Sequence, residues 1–197
     1  MTLTEHAKDF SHRAHDAINQ KRKYSGAPYW VHTDAVAQTV TDIGGTPEMI
    51  AAAHLHDYRE DVVTKLQEEN RLSELVAFEF EYMVFPQVVR DMVNDLTDVY
   101  VKSAYPDKNR RERHDLENER LSKISVDAKT IKLADLIDNT KSIVAEDTDF
   151  AKVYLKEKFA VLPLLSDGNP KLLQQASMQT IAGFSSLGLT IPMVSAH

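Results

Sequence analysis

The sequence contains 197 residues, with 23 Lys and Arg against 30 Asp and Glu, and its formal net charge is −7. This charge argues against nucleic-acid partners, because proteins bind nucleic acids by neutralising phosphates with basic residues. The absence of cysteine excludes disulfide scaffolds, thiolate zinc sites and cysteine nucleophiles. No apolar run approaches the ~20 residues of a membrane helix, and the first residues carry no basic-then-apolar signal, so we expect a cytoplasmic protein with no membrane partner.

The first half of the chain shows helical spacing. Apolar residues follow a helical period over 36–43, and the glycine pair 44–45 is a typical stop signal. The next three residues, 46–48, are Thr-Pro-Glu, which supply an N-cap, a proline at the first helical position and an acid in the first turn. We expect this helix to run toward His56.

The second half is also predicted to be helical, because glycine is absent from 46–167 and a β-rich fold needs many tight turns. Further helices are expected at 88–96, 116–124, 129–144, 153–165 and 171–181. The polar stretch 102–113 reads as a loop and 187–197 as a loosely held tail. The sequence therefore predicts an all-α fold with a single domain over 1–197, its core at about 5–165 and a C-terminal helix and tail at 170–197.

Four ionisable residues follow the apolar start of the helix that begins at 46. They are the site candidates His56, Asp57, Glu60 and Asp61, taken from a segment with two histidines and three acids that also holds His54. On an α-helix His56 and Glu60 share one row, and Asp57 and Asp61 share the next. Imidazole and carboxylate groups together suit a divalent ion such as manganese, iron or zinc. The alternative is a solvated helix face with internal hydrogen bonds.

A lone carboxylate, Asp135, lies in the middle of an apolar helical stretch. Because an isolated buried carboxylate is prohibitively costly, Asp135 must be hydrogen-bonded, ion-paired or bound to a metal. Asn139 lies one turn later on the same face, with Ser142 close by it. Pairing with a nearby Lys or Arg is the alternative to metal binding.

A basic and aromatic segment covers 21–32 and ends in His32. Arginine and aromatic side chains suit a nucleobase and its phosphates, by stacking and charge. The alternative is a surface loop with a hydrogen-bonded histidine.

Together, these segments resemble a known enzyme family. His32, His56-Asp57 and Asp135 match the H…HD…D order of the HD phosphohydrolase superfamily. The motifs Arg-Lys, Gly-x-Pro-Tyr-x-x-His, His-Asp-x-x-Glu-Asp and Ile-Lys-Leu-Ala-Asp-x-x-x-Asn resemble the hydrolase domain of the Rel/SpoT alarmone enzymes, most closely the small stand-alone alarmone hydrolases. The resemblance covers roughly 5–165 and implies an HD-domain helical bundle.

The resemblance also implies a reaction and a set of site residues. The family hydrolyses the 3′-pyrophosphate of ppGpp or pppGpp, the alarmones of the stringent response, and releases pyrophosphate and GDP or GTP. One Mn²⁺ per chain, or another divalent transition metal, would be held by His32, His56, Asp57 and Asp135. Glu60 and Asp61 would position and activate the attacking water. Substrate contacts are expected from Arg22, Lys23, Asn139, Ser142, Tyr154 and Lys158.

Two departures from the family pattern leave the substrate open. Position 54 is His54 instead of an apolar residue, and we interpret it as a core histidine or a neighbour of the metal ligands. The segment 62–81 is longer and more polar than in the family. The alternatives to (p)ppGpp as substrate are an adenine alarmone of the ppApp type, the 2′-phosphate of NADPH and a nucleoside 5′-monophosphate. A different class of protein, an inactive nucleotide-sensing module, would share these motifs, and exposed apolar helices could support a homodimer.

Overall fold

The computed structural model describes residues 1–192 of the chain. These residues form helices and no β-strand, since their one backbone bridge, between Lys21 and Pro28, is isolated. The α-helices are α1 (Leu3–Ala17), α2 (Trp30–Asp42), α3 (Pro47–Leu55), α4 (Thr64–Glu68), α5 (Leu72–Tyr82), α6 (Gln87–Leu96), α7 (Arg110–Leu121), α8 (Val126–Glu146), α9 (Thr148–Val161) and α10 (Pro170–Ser186). A π-helix, Tyr58–Val63, precedes α4, and a 3₁₀ turn, Leu162–Leu165, follows α9. The all-α fold class is confirmed.

The helices fall into two compact units, one formed by residues 1–99 and the other beginning at residue 100. The organisation of the chain as one domain stays a prediction. The predicted tail is non-helical over 187–192, and the rest of it, 193–197, lies outside the described residues. Among residues 1–192, no helix combines the length and the apolar character needed to cross a bilayer.

Helix α3 is the centre of the first unit and packs against α1, α2 and α6. The Thr46 hydroxyl accepts a hydrogen bond from the Met49 amide at 3.2 Å, which confirms the predicted N-cap. The side chains of 51–53, three alanines, are fully buried, and their small size allows the neighbouring helices to approach closely. His54 is buried too, with its Nδ1 3.3 Å from Asp34, in agreement with a core histidine.

Helix α8 is the longest helix described, with 21 residues, and it packs against α9 and α10 in the second unit. The Ser125 hydroxyl caps its start by accepting a hydrogen bond from the Ala128 amide. At Gly183 of α10, a Cβ atom would lie 2.9 Å from Leu155 Cδ2, so the missing side chain permits close packing of α10 on α9.

The structure corrects one sequence-based boundary and confirms another. Helix α7 starts at Arg110, because Asn109 and Glu112 form a capping box, so the end of the predicted loop 102–113 is helical. The helix from 47 ends at Leu55 with His56 as its C-cap, as expected. The segment 62–81 contains α4 and most of α5, and Leu72, Val76 and Phe80 on α5 are exposed. The homodimer stays a prediction.

Candidate metal centre

The His-Asp pair lies at a change of helix type. Helix α3 ends at Leu55 and the π-helix begins at Tyr58, so His56 and Asp57 form the junction. A π-helix repeats through i→i+5 hydrogen bonds and interrupts the α-helical rows. The regular α-helical rows predicted after Asp57 are therefore interrupted, although the Asp61 amide still donates to the Asp57 carbonyl at 2.9 Å. Asp57 itself has φ −95° and ψ −1°, the bridge region in which many active-site residues lie.

Two histidines and one carboxylate of the first unit converge at this junction. His32, in the first turn of α2, has 1% of its surface exposed and His56 has 3%. One ring nitrogen of each lies within 4.8 Å of the other. The Asp57 Oδ2 atom is 3.0 Å from His56 Nε2 and 3.6 Å from His32 Nε2. These are the atom types that a divalent transition metal binds.

The hydrogen bonding of His56 shows that this donor set fits a cation. His56 Nδ1 lies 2.8 Å from the Ala53 carbonyl oxygen, which can only accept, so Nδ1 carries the proton. In the neutral ring Nε2 then has a lone pair, and it faces the Asp57 carboxylate oxygen. Two lone pairs at 3.0 Å repel each other unless a proton or a cation lies between them.

Tyr29 positions the carboxylate of Asp57. Its hydroxyl donates to Asp57 Oδ2 at 2.7 Å, and its ring lies edge-on to His32 with 5.6 Å between centroids. Metal-binding carboxylates are commonly oriented by such a hydrogen bond.

The two predicted catalytic carboxylates lie in different environments. Glu60 Oε2 accepts a hydrogen bond from the Asp98 amide at 3.3 Å, whereas Asp61 Oδ2 accepts one from Gln20 Nε2 at 2.8 Å. Both line a groove of about 280 Å³ in the first unit. Burial, and then the charge of Asp57, raise the pKa of Asp61 to about 6 although the Gln20 bond opposes the shift. A carboxyl group with such a pKa can take up a proton near neutral pH.

In the second unit, Asp135 is held by its own helix. It is 5% exposed, and its Oδ2 lies 2.9 Å from Lys132 Nζ while its Oδ1 accepts from Asn139 Nδ2 at 2.6 Å. The predicted pairing with a lysine is present. A carboxylate has about four lone-pair sites and can accept several partners at once.

The other predicted substrate residues differ in accessibility. Lys158 is 1% exposed, and its ammonium donates to Thr140 Oγ1 at 2.6 Å; Tyr154 OH donates to the Leu136 carbonyl at 3.3 Å. The alternative of an exposed helix surface is therefore wrong for Lys158. Ser142 Oγ donates to the Asn139 carbonyl at 3.2 Å.

The basic loop forms a turn in which Gly26 adopts the left-handed backbone conformation. The Arg22 amide donates to the Ala27 carbonyl at 2.8 Å, and Gly26, with φ +68°, donates to the Arg22 carbonyl at 3.0 Å. Arg22 is half-buried and Lys23 is exposed, with its ammonium 4.8 Å from the centre of the Tyr24 ring.

Comparison with known proteins decides the family. The family model described as "HD domain" matches residues 7–162, which is more than three quarters of the chain. The chain belongs to the HD domain family. His32, His56, Asp57 and Asp135 all lie in the matched range.

Two curated relatives of this HD domain protein share one name. Each is named a "probable guanosine-3′,5′-bis(diphosphate) 3′-pyrophosphohydrolase". The one from Synechocystis sp. is 44% identical over 55 residues, 28% of this chain and 7% of the relative. The one from Mycoplasma pneumoniae is 26% identical over 163 residues, 80% of this chain and 20% of the relative. The chain thus spans a fifth or less of the length of these relatives.

A solved structure has the same fold. It is described as a metazoan ortholog of SpoT that hydrolyses ppGpp and plays a role in starvation responses. It superposes with a TM-score of 0.72 at 21% identity, over 96% of this HD domain protein and 98% of that chain. At this identity the likeness establishes the fold.

Sequence reasoning missed three residues around the junction of this HD domain. Tyr29 was noted only as part of a motif, and Gln20 and His15 were not selected. Gln20 bonds to Asp61, while His15 is fully buried and lies 2.6 Å from Gln20. A histidine at the buried face of an amphipathic helix was the signal available for His15.

Proposed function

We propose that this HD domain protein is a divalent-metal-dependent hydrolase that removes pyrophosphate from the 3′ position of ppGpp or pppGpp. The convergence of His32, His56 and Asp57 near the half-buried carboxylate Asp61 carries the proposal. Family membership supports hydrolysis, and the names of the two curated relatives support the substrate.

We further propose Asp135 as the remaining ligand and Mn²⁺ as the ion. Imidazole and carboxylate groups suit Mn²⁺, Fe²⁺ and Zn²⁺, and the H…HD…D order of the family supports the inclusion of Asp135. Lys132 and Asn139 orient this carboxylate as outer partners orient metal ligands elsewhere. Four protein ligands leave positions open for water and substrate.

The residues of the chain then have separable tasks. A bound divalent cation supplies charge that offsets the phosphoryl oxygens and lowers the pKa of water. Asp61, with its raised pKa, accepts the proton that the attacking water loses as its oxygen bonds to phosphorus. Glu60 shares the groove and helps to hold the water. The ribose 3′-oxygen leaves with the bonding electron pair and takes up a proton, which yields GDP or GTP and pyrophosphate.

Six residues are proposed to bind the nucleotide. Two come from the basic loop and four from α8 and α9: Arg22, Lys23, Asn139, Ser142, Tyr154 and Lys158. Stacking and charge suit the loop residues to a base and its phosphates. The polar groups of α8 and α9 are suited to hydrogen bonds with ribose and phosphate.

A product assay tests the proposal. The protein is stripped with EDTA, reloaded with Mn²⁺ and given ppGpp, and nucleotide and phosphorus products are separated. GDP and pyrophosphate in equal amounts are expected, with no turnover in EDTA. Inorganic phosphate alone would contradict a pyrophosphohydrolase, and parallel incubations with ppApp and NADPH would reveal another preferred substrate. Tight ppGpp binding without turnover would identify a nucleotide-sensing module.

A further inference from the structure

A short hydrogen-bond chain runs from α1 to Asp61. The Nδ1 atom of His15 lies 2.6 Å from Gln20 Oε1, and Gln20 Nε2 lies 2.8 Å from Asp61 Oδ2. His15 is fully buried, and Gln20 lines the same groove as Asp61. A buried imidazole is thus connected to a candidate catalytic carboxylate through one amide.

The chemistry of the groups fixes the direction of each bond. The ionised carboxylate of Asp61 can only accept, so the Gln20 amide N–H faces it and the Gln20 carbonyl oxygen faces His15. That oxygen accepts as well, so His15 Nδ1 carries the proton. Burial lowers the pKa of His15, in keeping with a neutral ring that has its one proton at this nitrogen.

Both backbone polar groups of Gln20, its N–H and its carbonyl, are hydrogen-bonded to other backbone groups. Asn19 has φ +49°, in the left-handed region that asparagine tolerates, and turns the chain at the end of α1. The backbone N–H of Gln20 then donates to the His15 carbonyl at 3.1 Å, and the backbone carbonyl of Gln20 accepts from the Tyr29 backbone N–H at 3.1 Å. Because Tyr29 donates to Asp57, one backbone pair presents donors to two acidic residues of the site.

The imidazole of His15 is not explained by packing. Its Nε2 atom is buried and has no hydrogen-bond partner within residues 1–192. A buried nitrogen in this state costs free energy that an apolar residue of similar size would avoid. The Nδ1 bond to Gln20 and the ring contact with Tyr29, with 4.9 Å between centroids, are the two features of His15 that leucine would not supply.

We propose that Gln20 is a positioning residue that aims the Asp61 carboxylate at the attacking water, and that His15 fixes the orientation of the Gln20 amide. The inference rests on the proposed function of Asp61 as proton acceptor. Holding Oδ2 fixes the plane of the carboxylate and so the direction of its other oxygen. Small displacements of a reacting group cost rate, because the proton transfer requires hydrogen-bond distance to the water.

Gln20→Met tests the positioning role, since methionine keeps the unbranched shape and removes both polar groups. Steady-state kinetics with ppGpp and Mn²⁺ should show kcat reduced roughly 10- to 100-fold, with KM and bound manganese unchanged. Gln38→Met is the matched control, because Gln38 donates to Asp42 at 2.7 Å on the exposed side of α2. Equal kcat in Gln20→Met and the parent would overturn the proposal.

Two variants of His15 separate orientation from packing. Asparagine keeps an N–H near the Nδ1 position, and leucine removes it while filling the space. His15→Asn should retain most of the parent kcat. His15→Leu should lose as much kcat as Gln20→Met does, and it should unfold at the same temperature as the parent or at a higher one. The opposite ranking in kcat, Leu above Asn, would show that His15 only packs.

A stability measurement keeps this inference distinct from the proposed function. In a double-mutant cycle of Gln20→Met and Asp61→Ala, followed by urea unfolding, the two changes should be coupled because each removes the same hydrogen bond. Additive effects would overturn the positioning role whatever the substrate. If coupling is present and the parent nevertheless leaves ppGpp intact, it is the proposed function that fails, and the Gln20–Asp61 pairing stands.

Discussion

At the scale of single residues, Asp57 and Asp61 have different proposed tasks although they lie close together. Asp57 faces His32 and His56, and Asp61 faces Gln20. The Asp61 amide donates to the Asp57 carbonyl at 2.9 Å, so the two carboxylates lie one turn apart and the charge of Asp57 raises the pKa of Asp61. One short segment, 57–61, thus supplies both a proposed metal ligand and the proposed proton acceptor.

The separation of tasks predicts different losses for the acidic residues. Asp57→Ala should abolish both manganese binding and hydrolysis, because a ligand is lost. Asp61→Asn and Glu60→Gln should keep the manganese and lose turnover, with a fall of about 10²–10⁴ for the residue that takes the proton. Metal content per chain and kcat, measured on the same samples, check this. Equal manganese in Asp57→Ala and the parent would remove Asp57 from the ligands.

At the scale of helices, the sequence allowed prediction of elements whose start and stop signals are local. Thr46-Pro47 at the start of α3 and the apolar stripe of α6 are such signals. The π-helix was not predictable, because it has no local residue pattern distinct from that of an α-helix. The same limit applies to the Gln20–Asp61 bond, since its partners are 41 positions apart and meet only through tertiary packing.

Asp34 shows how one side chain joins three helices of the first unit. Its carboxylate, on α2, lies 3.1 Å from Lys8 and 3.0 Å from His12, both on α1, and 3.3 Å from His54 on α3. Burial alone would raise the pKa of Asp34, but the close contacts with His54, His12 and Lys8 hold it well below its usual range.

Asp34→Asn is expected to destabilise the protein by about 1–3 kcal/mol at pH 7, the value of hydrogen bonds to a charged group. Since the folded-state pKa is lowered, the stabilisation is present above the unfolded pKa and disappears as the pH falls below ~4. Urea unfolding of parent and variant from pH 7 to pH 3 should show the difference shrinking. Asp42→Asn, on the same helix but exposed, is the control and should cost little.

At the scale of the whole molecule, the buried ammonium of Lys158 links stability to pH. Burial lowers the pKa of Lys158 to about 7, and the charge of Asp135 opposes this only in part. The unfolded chain binds a proton there below ~10.4, so between that value and pH 7 the unfolded state holds more protons than the folded state. Stability should rise with pH across this interval.

Lys158→Met should flatten that rise, because methionine removes the titrating group and fills similar space. The slope lost is at most about 1.4 kcal/mol per pH unit. Urea unfolding at pH 7 to 10 in EDTA, which avoids manganese hydroxide, measures it. Lys156→Met, an exposed lysine on the same helix, should leave the slope unchanged. Identical slopes for the parent and Lys158→Met would show that Lys158 is charged in the folded protein at pH 7.

The metal ligands also affect the stability of the whole chain. An ion that binds only the folded state stabilises it by RT ln(1 + [L]/Kd), which is about 2.7 kcal/mol at an ion concentration of a hundred times Kd. If Asp135 is a ligand, Asp135→Asn should remove most of the manganese-dependent rise in Tm, as His32→Ala should, although Asp135 belongs to the unit that begins at residue 100 and His32 to the other. Thermal unfolding with Mn²⁺ and with EDTA measures this rise without any substrate. An undiminished rise in Asp135→Asn, alongside its loss in His32→Ala, would confine the metal ligands to His32, His56 and Asp57 and would remove Asp135 from the set.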